Sequence, residues 1–285
     1  MEPLIEIKDL SKNYAGFCLN QINITLPKGM IMGLIGENGA GKSTTIKAML
    51  NLIHPDSGEI KLLGKDYQKE EKQIKEEIGV VLDDGFLSEY LTPKDINKAM
   101  KNIYTNWDEE QYFTYLEKFQ LPKDKISKEY SSGMKMKLKL AVALSHHPKL
   151  LILDEPTSGL DPVARNEILD IFQEFIQDEE HGIFVSSHIT TDLEHIADYI
   201  VFVNQGEIIL NKTRDELLEK YGIAKCAKEE FEKIDPKDFI RMKKNRYEYE
   251  ILVEDKVAFQ KKYDVAIMDK PSIEEIMLLY IKGEK

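Results

Sequence analysis

The sequence is short of three things, and each shortage removes a class of protein. It holds two cysteines, Cys18 and Cys226, far apart and in no metal-ligand spacing. A disulfide framework and a cysteine-built zinc site are thereby excluded, and the expectation is a reducing, cytoplasmic setting with both thiols buried. No apolar run approaches the ~20 residues that cross a bilayer. The opening stretch, MEPLIEIKDL, carries acidic residues and lacks the apolar core of a secretory signal. A function at a membrane therefore requires a span from another chain. Positive charge is also in deficit: 39 Lys and Arg against 51 Asp and Glu leave a net charge of −12. That is the wrong sign for a protein held on nucleic acid by an overall basic field.

What is present suits one large or two smaller soluble domains: 285 residues, 42% hydrophobic and 32% charged. Residues 4–35 read as strands, ending in the apolar run MIMGLI. A glycine-rich turn follows, then a helix over 43–53 that stops at His54-Pro55-Asp56-Ser57-Gly58. EIKLLG and GVVL read as further strands. Residues 84–149, with Trp107 and five tyrosines, take long helical patterns and read as a mostly helical insertion. LLIL (150–153) and IFVSS (183–187) look like central parallel strands on either side of a helix over 162–180. YIVFVNQGEIIL reads as a hairpin turning at Asn204-Gln205-Gly206. From about 211 the pattern changes: a helix in KTRDELLEKYG, a half-exposed strand in YEYEILV and a closing amphipathic helix in PSIEEIMLLYIKG. Ser272 and Glu275 are spaced as a capping box there, with Ile273, Ile276, Met277 and Tyr280 on one face.

The chemistry begins at GENGAGKST, residues 36–44. It matches G-x-x-x-x-G-K-[ST] and sits between a predicted strand and a predicted helix, the context that gives the motif meaning. Gly36, Gly39 and Gly41 let backbone N–H groups turn inward around phosphate oxygens, with Asn38 and Thr44 in the same cradle. The helix start adds partial positive charge. Lys42 reaches the β- and γ-phosphates, and the Ser43 hydroxyl suits Mg²⁺. LLILDEP supplies two carboxylates at the carboxyl end of a buried strand, where ligands bind in open α/β sheets. Asp154 is placed to hold the Mg²⁺ shell. Glu155 is placed to polarise a water for in-line attack on the γ-phosphorus. His188, after IFVSS, is carried to the same sheet edge, within reach of that phosphate or water. Lys42, Glu155 and His188 are the candidate catalytic residues.

In this order the motifs resemble the ATP-binding-cassette (ABC) ATPases over roughly residues 1–210. The stretch EYSSGMKMKL then acquires a second reading besides that of a capped, lysine-faced helix start. Tyr130-Ser131-Ser132-Gly133-Met134 resembles a degenerate form of the family's Leu-Ser-Gly-Gly-Gln signature. The resemblance implies that Ser131 and Gly133 face ATP held by a second cassette, identical or related, in a head-to-tail dimer. It further implies that Tyr14 stacks on adenine and that Ser158-Gly159-Leu160-Asp161 crosses the dimer interface. Asp83 stands where the family has a glutamine near Mg²⁺ and the lytic water, a departure that bears on coupling rather than on nucleotide binding.

The expectation is thus an α/β protein. A P-loop NTPase core (1–210) has a mostly parallel sheet, an N-terminal antiparallel β-subdomain and a helical insertion over about 84–149. A small accessory α/β unit follows over 211–285. The function expected is that of a cytoplasmic ATPase subunit, using ATP and Mg²⁺, that powers an integral-membrane exporter subunit. The closing unit is similar to cassettes of bacterial exporters for drugs and antimicrobial peptides. A soluble cassette acting on ribosomes or DNA is the alternative, set back by the single cassette and the acidic charge. A P-loop kinase leaves SSGM, SGLD and His188 together unexplained.

Overall fold

The computed structural model describes residues 2–83, 88–263 and 267–285. Strands β1 (Ile5–Tyr14) and β2 (Phe17–Leu26) form an antiparallel hairpin, and β3 (Met30–Ile35) leads into helix α1 (Lys42–Met49). α1 is shorter than the sequence suggests, because Asn51 turns to a positive φ of 54°. Next come β4 (Ser57–Leu62), β5 (Lys65–Asp66), α2 (Tyr67–Glu77) and β6 (Ile78–Val81). The expected helical segment supplies α3 (Pro93–Met100), α4 (Glu109–Lys118) and α5 (Ser132–Leu144). Its first residues, including Asp84, lie outside the described residues. The chain continues through β7 (Leu150–Asp154), α6 (Pro162–Phe175), β8 (Gly182–Ser187), α7 (Thr190–Ile196), β9 (Tyr199–Asn204), β10 (Glu207–Thr213) and α8 (Arg214–Glu219). The remainder is β11 (Gly222–Cys226), α9 (Lys228–Phe231), β12 (Arg241–Lys244), β13 (Tyr249–Val253), α10 (Lys256–Lys262), β14 (Ile267–Asp269) and α11 (Ile273–Lys282).

Three sheets result. The central one runs β10-β9-β3-β8-β7-β6, parallel except for the β10 edge strand. Its inner strands open as apolar runs because both faces are covered. Side chains alternate between two cores. Ile31, Ile35, Leu151, Leu153, Ile183 and Val185 face the helices, while Met32, Leu34, Leu150, Ile152 and Phe184 face the antiparallel sheet β2-β1-β4-β5 and α1. The fold is the expected α/β class.

The third sheet, β12-β13-β11-β14, is antiparallel throughout. With α9 and α10 it follows the strand-helix-strand-strand-helix-strand order of a split βαβ, ferredoxin-like sandwich. Ala224, Cys226, Ile251, Val253 and Phe259 form its own core. The opposite face of this sheet, through Ile223 and Leu252, joins the main helical core together with Ile273, Ile276 and Leu279 of α11. α11 starts at a capping box between Ser272 and Glu275, and Glu194 of α7 accepts from the Ile273 N–H. Leu279, which the sequence reading left off this face, is buried there. The expectation for the thiols is half met: Cys226 is buried and Cys18 is exposed. Cys18 alternates with the inward residues of β2 and so points to solvent.

Because Ile276 is 1% exposed, Ile276→Ala should cost about 2–5 kcal/mol, the usual range for an aliphatic truncation in a closed core. Denaturant unfolding of the full chain measures it. A loss under about 1 kcal/mol would mean that α11 is only loosely seated.

Candidate functional site

Strand register assembles the site. Ile35 pairs with Ser187, and Asp154 pairs with Ser186, so β3, β8 and β7 end at one level. β6 runs beside β7 with Val81 opposite Leu153. Four connections therefore leave the same sheet edge: the loop 36–41, Asp83, Glu155 and His188.

The loop is shaped by Gly41, whose φ is +117°. A Cβ there would meet Leu19 Cδ1 at 2.8 Å and Phe17 Cζ at 3.2 Å. Both the backbone conformation and the space demand glycine. α1 then begins at Lys42, and its first turn is held by Thr45 Oγ1 donating to the Gly41 carbonyl at 2.9 Å. The buried Lys42 ammonium curls back over the loop and donates to the Gly36 carbonyl at 2.8 Å and the Glu37 carbonyl at 3.4 Å. It also lies 3.1 Å from Glu155 Oε1. The second oxygen, Glu155 Oε2, accepts from His188 Nδ1 at 2.6 Å and from the His188 backbone N–H at 3.2 Å. Lys42, Glu155 and His188 form one continuous chain of contacts.

Glu155 itself has a φ of +51°, a left-handed conformation costing roughly 1–2 kcal/mol for a residue with a Cβ. It is held by Ser186, whose hydroxyl and carbonyl accept from the Glu155 N–H at 3.0 and 3.2 Å. The same Ser186 hydroxyl donates to Asp154 Oδ1 at 2.6 Å. Ser186 thus orients both carboxylates. The sequence reading did not single it out, though a serine inside an otherwise apolar strand was the available signal.

These groups line an open cleft of about 790 Å³, walled by Asn38, Gly39, Gly41, Lys42, Ser43, Thr44, Asp83, Glu155 and His188, with Gly16, Phe17, Glu37 and Ser158. Gly36 and Asp154 lie beneath its floor, Asp154 at 3% exposure. Tyr14 is not among the lining residues. It is 47% exposed, with the Lys12 ammonium 5.7 Å from its ring centre. Phe17, three residues on, is the aromatic that reaches the cleft, and nothing in its sequence position distinguished it from a core residue. Asp83 is exposed at the rim, and its backbone is tied to α5 through Lys139 Nζ, which donates to the carbonyls of Leu82 at 2.9 Å and Asp83 at 3.4 Å.

Ser131 and Gly133 are not part of this cleft. Ser131 caps α5, its hydroxyl accepting from the Met134 N–H at 3.2 Å. Gly133 packs α5 on α6, where an added Cβ would sit 2.8 Å from Ala164 Cβ. Asp161 likewise caps α6 through the N–H groups of Val163 and Ala164.

A phosphate loop on the central strand, with an Asp-Glu pair ending the strand two places away, defines a P-loop nucleoside-triphosphatase. Comparison with known proteins narrows the class. The ABC transporter family model matches residues 19–158. The bacitracin transport ATP-binding protein BcrA of Enterococcus faecalis is 36% identical over 221 residues, covering 76% of this chain and 71% of its own. The lantibiotic transport ATP-binding protein SrtF of Streptococcus pyogenes is 38% identical over 215 residues, covering 74% of this chain and 92% of its own. A solved structure described as the ATP binding subunit of an ABC transporter superposes with a TM-score of 0.68 at 30% identity, over 75% of this chain and 91% of that one. The chain belongs to the ABC transporter ATP-binding family: it binds ATP and hydrolyses it to drive a membrane transport subunit.

Two substitutions separate binding from turnover. Glu155→Gln should bind ATP normally and lower turnover at least about a hundredfold, the scale of a lost general base. Lys42→Ala should weaken nucleotide binding itself, since it removes the buried cation that lies over the loop 36–41. Equilibrium binding of a fluorescent ATP analogue and steady-state phosphate release check both.

Proposed function

We propose that this chain is the ATPase subunit of an exporter for an antimicrobial peptide or similar drug-like substrate, working at the cytoplasmic face of the membrane. The observation that carries the reading is the contact chain Lys42–Glu155–His188 at the mouth of the phosphate loop, in a protein whose relatives are bacitracin and lantibiotic transport ATP-binding proteins. No helix among the described residues is long and apolar enough to cross a membrane, which fits a subunit that borrows its span. Those transport relatives also disfavour a cassette acting on ribosomes or DNA. We take 1–210 as the ATPase unit and 211–285 as its accessory unit.

Within the cleft, the backbone of 36–41 and Lys42 would bind the ATP phosphates. An incoming γ-phosphate competes with Glu155 for the Lys42 ammonium, and this releases Glu155 Oε1 toward water while His188 keeps hold of Oε2. The donor set fits Mg²⁺: the exposed Ser43 hydroxyl, Asp154 and Asp83 are hard oxygen ligands. Among the described residues no three His, Cys, Asp or Glu groups cluster as a metal cage. Such a set leaves part of the shell to nucleotide oxygens and water, the usual condition of Mg²⁺ at a phosphate site. When bound, the ion neutralises phosphate charge. Asp83, one methylene shorter than a glutamine and charged, would reach that ion as its loop moves with α5. Tyr14 would swing from Lys12 to the adenine, beside Phe17.

Ser131 and the start of α5 would serve a second cassette. The start of α5 lies outside the chain's own cleft, and a helix start is an anion site. Ser131→Arg should leave nucleotide binding to the isolated subunit unchanged and abolish ATP-dependent dimerisation, as read by size-exclusion chromatography of the Glu155→Gln background. Weakened binding by the isolated subunit would sink the assignment to a partner's ATP.

The membrane subunit would dock in the apolar groove of about 490 Å³ lined by Leu50, Leu52, Tyr67, Val80, Leu82 and Ile103, among others. Leu52 and Ile103 are 58% and 62% exposed there, an unusual cost for a surface with no partner. Pull-down of the tagged full chain from detergent-solubilised cells should recover an integral-membrane protein. The double change Leu52→Asp/Ile103→Asp should lose that protein while keeping ATP binding. Recovery of ribosomes instead would overturn the transport reading.

A further inference from the structure

Behind the cleft, α6 and α7 carry an ion pair between a part-exposed arginine and a buried aspartate that the hydrolytic scheme does not use. Arg165 stands in the first turn of α6, its backbone N–H donating to the Asp161 carbonyl at 3.0 Å. Asp161 is the residue that ends the loop 158–161. Asp192 stands in the first turn of α7, four residues beyond His188. Its side chain is 6% exposed and that of Arg165 29%.

The pair is engaged only at arm's length. Arg165 Nη1 lies 3.8 Å from Asp192 Oδ1. Arg165 Nε and Asp192 Oδ2 are both buried and have no hydrogen-bond partner among the described residues. A guanidinium on a carboxylate ordinarily settles at about 2.7–2.9 Å, with two N–H groups on two oxygens. An approach of about 1 Å between α6 and α7, with a turn of the guanidinium, would reach that geometry. Buried charged groups left part-paired favour such an approach, because each unpaired atom has forfeited its water.

We propose that Arg165 and Asp192 are positioning residues for hydrolysis. Shortening of their ion pair draws α6 and α7 together and fixes the loop 158–161 relative to His188, and so relative to Glu155. The pair touches no nucleotide in this scheme; it acts through the two loops it joins. The inference rests on reading Glu155 and His188 as the hydrolytic groups.

The test uses the full chain and three readouts: steady-state kcat and KM for ATP, affinity for a fluorescent ATP analogue, and Tm. Arg165→Lys keeps the cation and loses the fork. It should lower kcat about tenfold or more, the scale of small misplacements at a reacting centre, with KM and nucleotide affinity within about twofold. Asp192→Asn should behave alike in kcat and also lower Tm, since it takes the counter-charge from a guanidinium whose Nε is buried. The double change Arg165→Met/Asp192→Leu removes both charges together and should restore Tm without restoring kcat. If kcat returns together with Tm, the pair only holds the fold and the proposal is wrong. Unchanged kcat in Arg165→Lys also overturns it, and so does a loss of nucleotide affinity as large as the loss of kcat. Should the double variant fail to fold, Arg165→Lys decides alone. Glu155→Gln assayed alongside separates the two claims. Normal turnover there overturns the site reading; loss there with normal turnover in Arg165→Lys overturns the positioning role only.

Discussion

Three parallel strands that end at one level are the constraint on which the chemistry depends. β3 delivers the phosphate loop, β7 delivers Asp154 and Glu155, and β8 delivers His188. Their alignment is fixed by the parallel ladder register that sets Ile35 opposite Ser187 and Asp154 opposite Ser186. A slip of one residue would turn each side chain to the opposite face. Such a slip is resisted because both faces are buried: every residue of β7 from Leu150 to Leu153 is at 0% exposure. Hydrophobic burial on two sides, rather than any contact in the cleft, is what holds Glu155 within reach of Lys42.

On this rigid edge one residue is strained. Glu155 sits at a positive φ and is held by a single buried serine, Ser186, that also anchors Asp154. Strain at a residue of this type persists only where the surroundings over-determine it. Here the ladder, the serine, Lys42 and His188 all fix the same carboxylate. The carboxylate is consequently pre-aimed, and a change at Lys42 is transmitted to it directly.

The contacts that tie the helices to their neighbours lie away from that edge. α5, α6 and α7 each begin at a capped or loop-held start next to the cleft, and each is joined to another element by a charged contact: Lys139 to the Asp83 segment, Arg165 to Asp192, Glu194 to the head of α11. α11 closes the split βαβ unit onto α7, so the head of α11 rests on the helix that follows the histidine loop. α11 is thereby connected to the helix that follows His188 through packing.

The sequence alone determined the strand-loop-helix of the phosphate site, the Asp-Glu pair and where the central strands lie along the chain, because these depend on local patterns: apolar runs, glycines at fixed spacing and a lysine at a helix start. It also foretold the capping box of α11, a contact between neighbours three residues apart. Residues whose role comes from distant partners were not legible. Ser186 orients two carboxylates only because β7 and β8 are adjacent. Phe17 reaches the cleft, and Tyr14 lies against Lys12, only because β1 and β2 fold over the loop. Gly133 read as part of a signature is, in the fold, also the place where α5 approaches Ala164. The ion pair of Arg165 and Asp192, the ferredoxin-like pairing of the last four strands and the seating of α11 on α7 are likewise decisions of tertiary structure. Each joins segments tens of residues apart, and no local propensity encodes which of many apolar faces will meet.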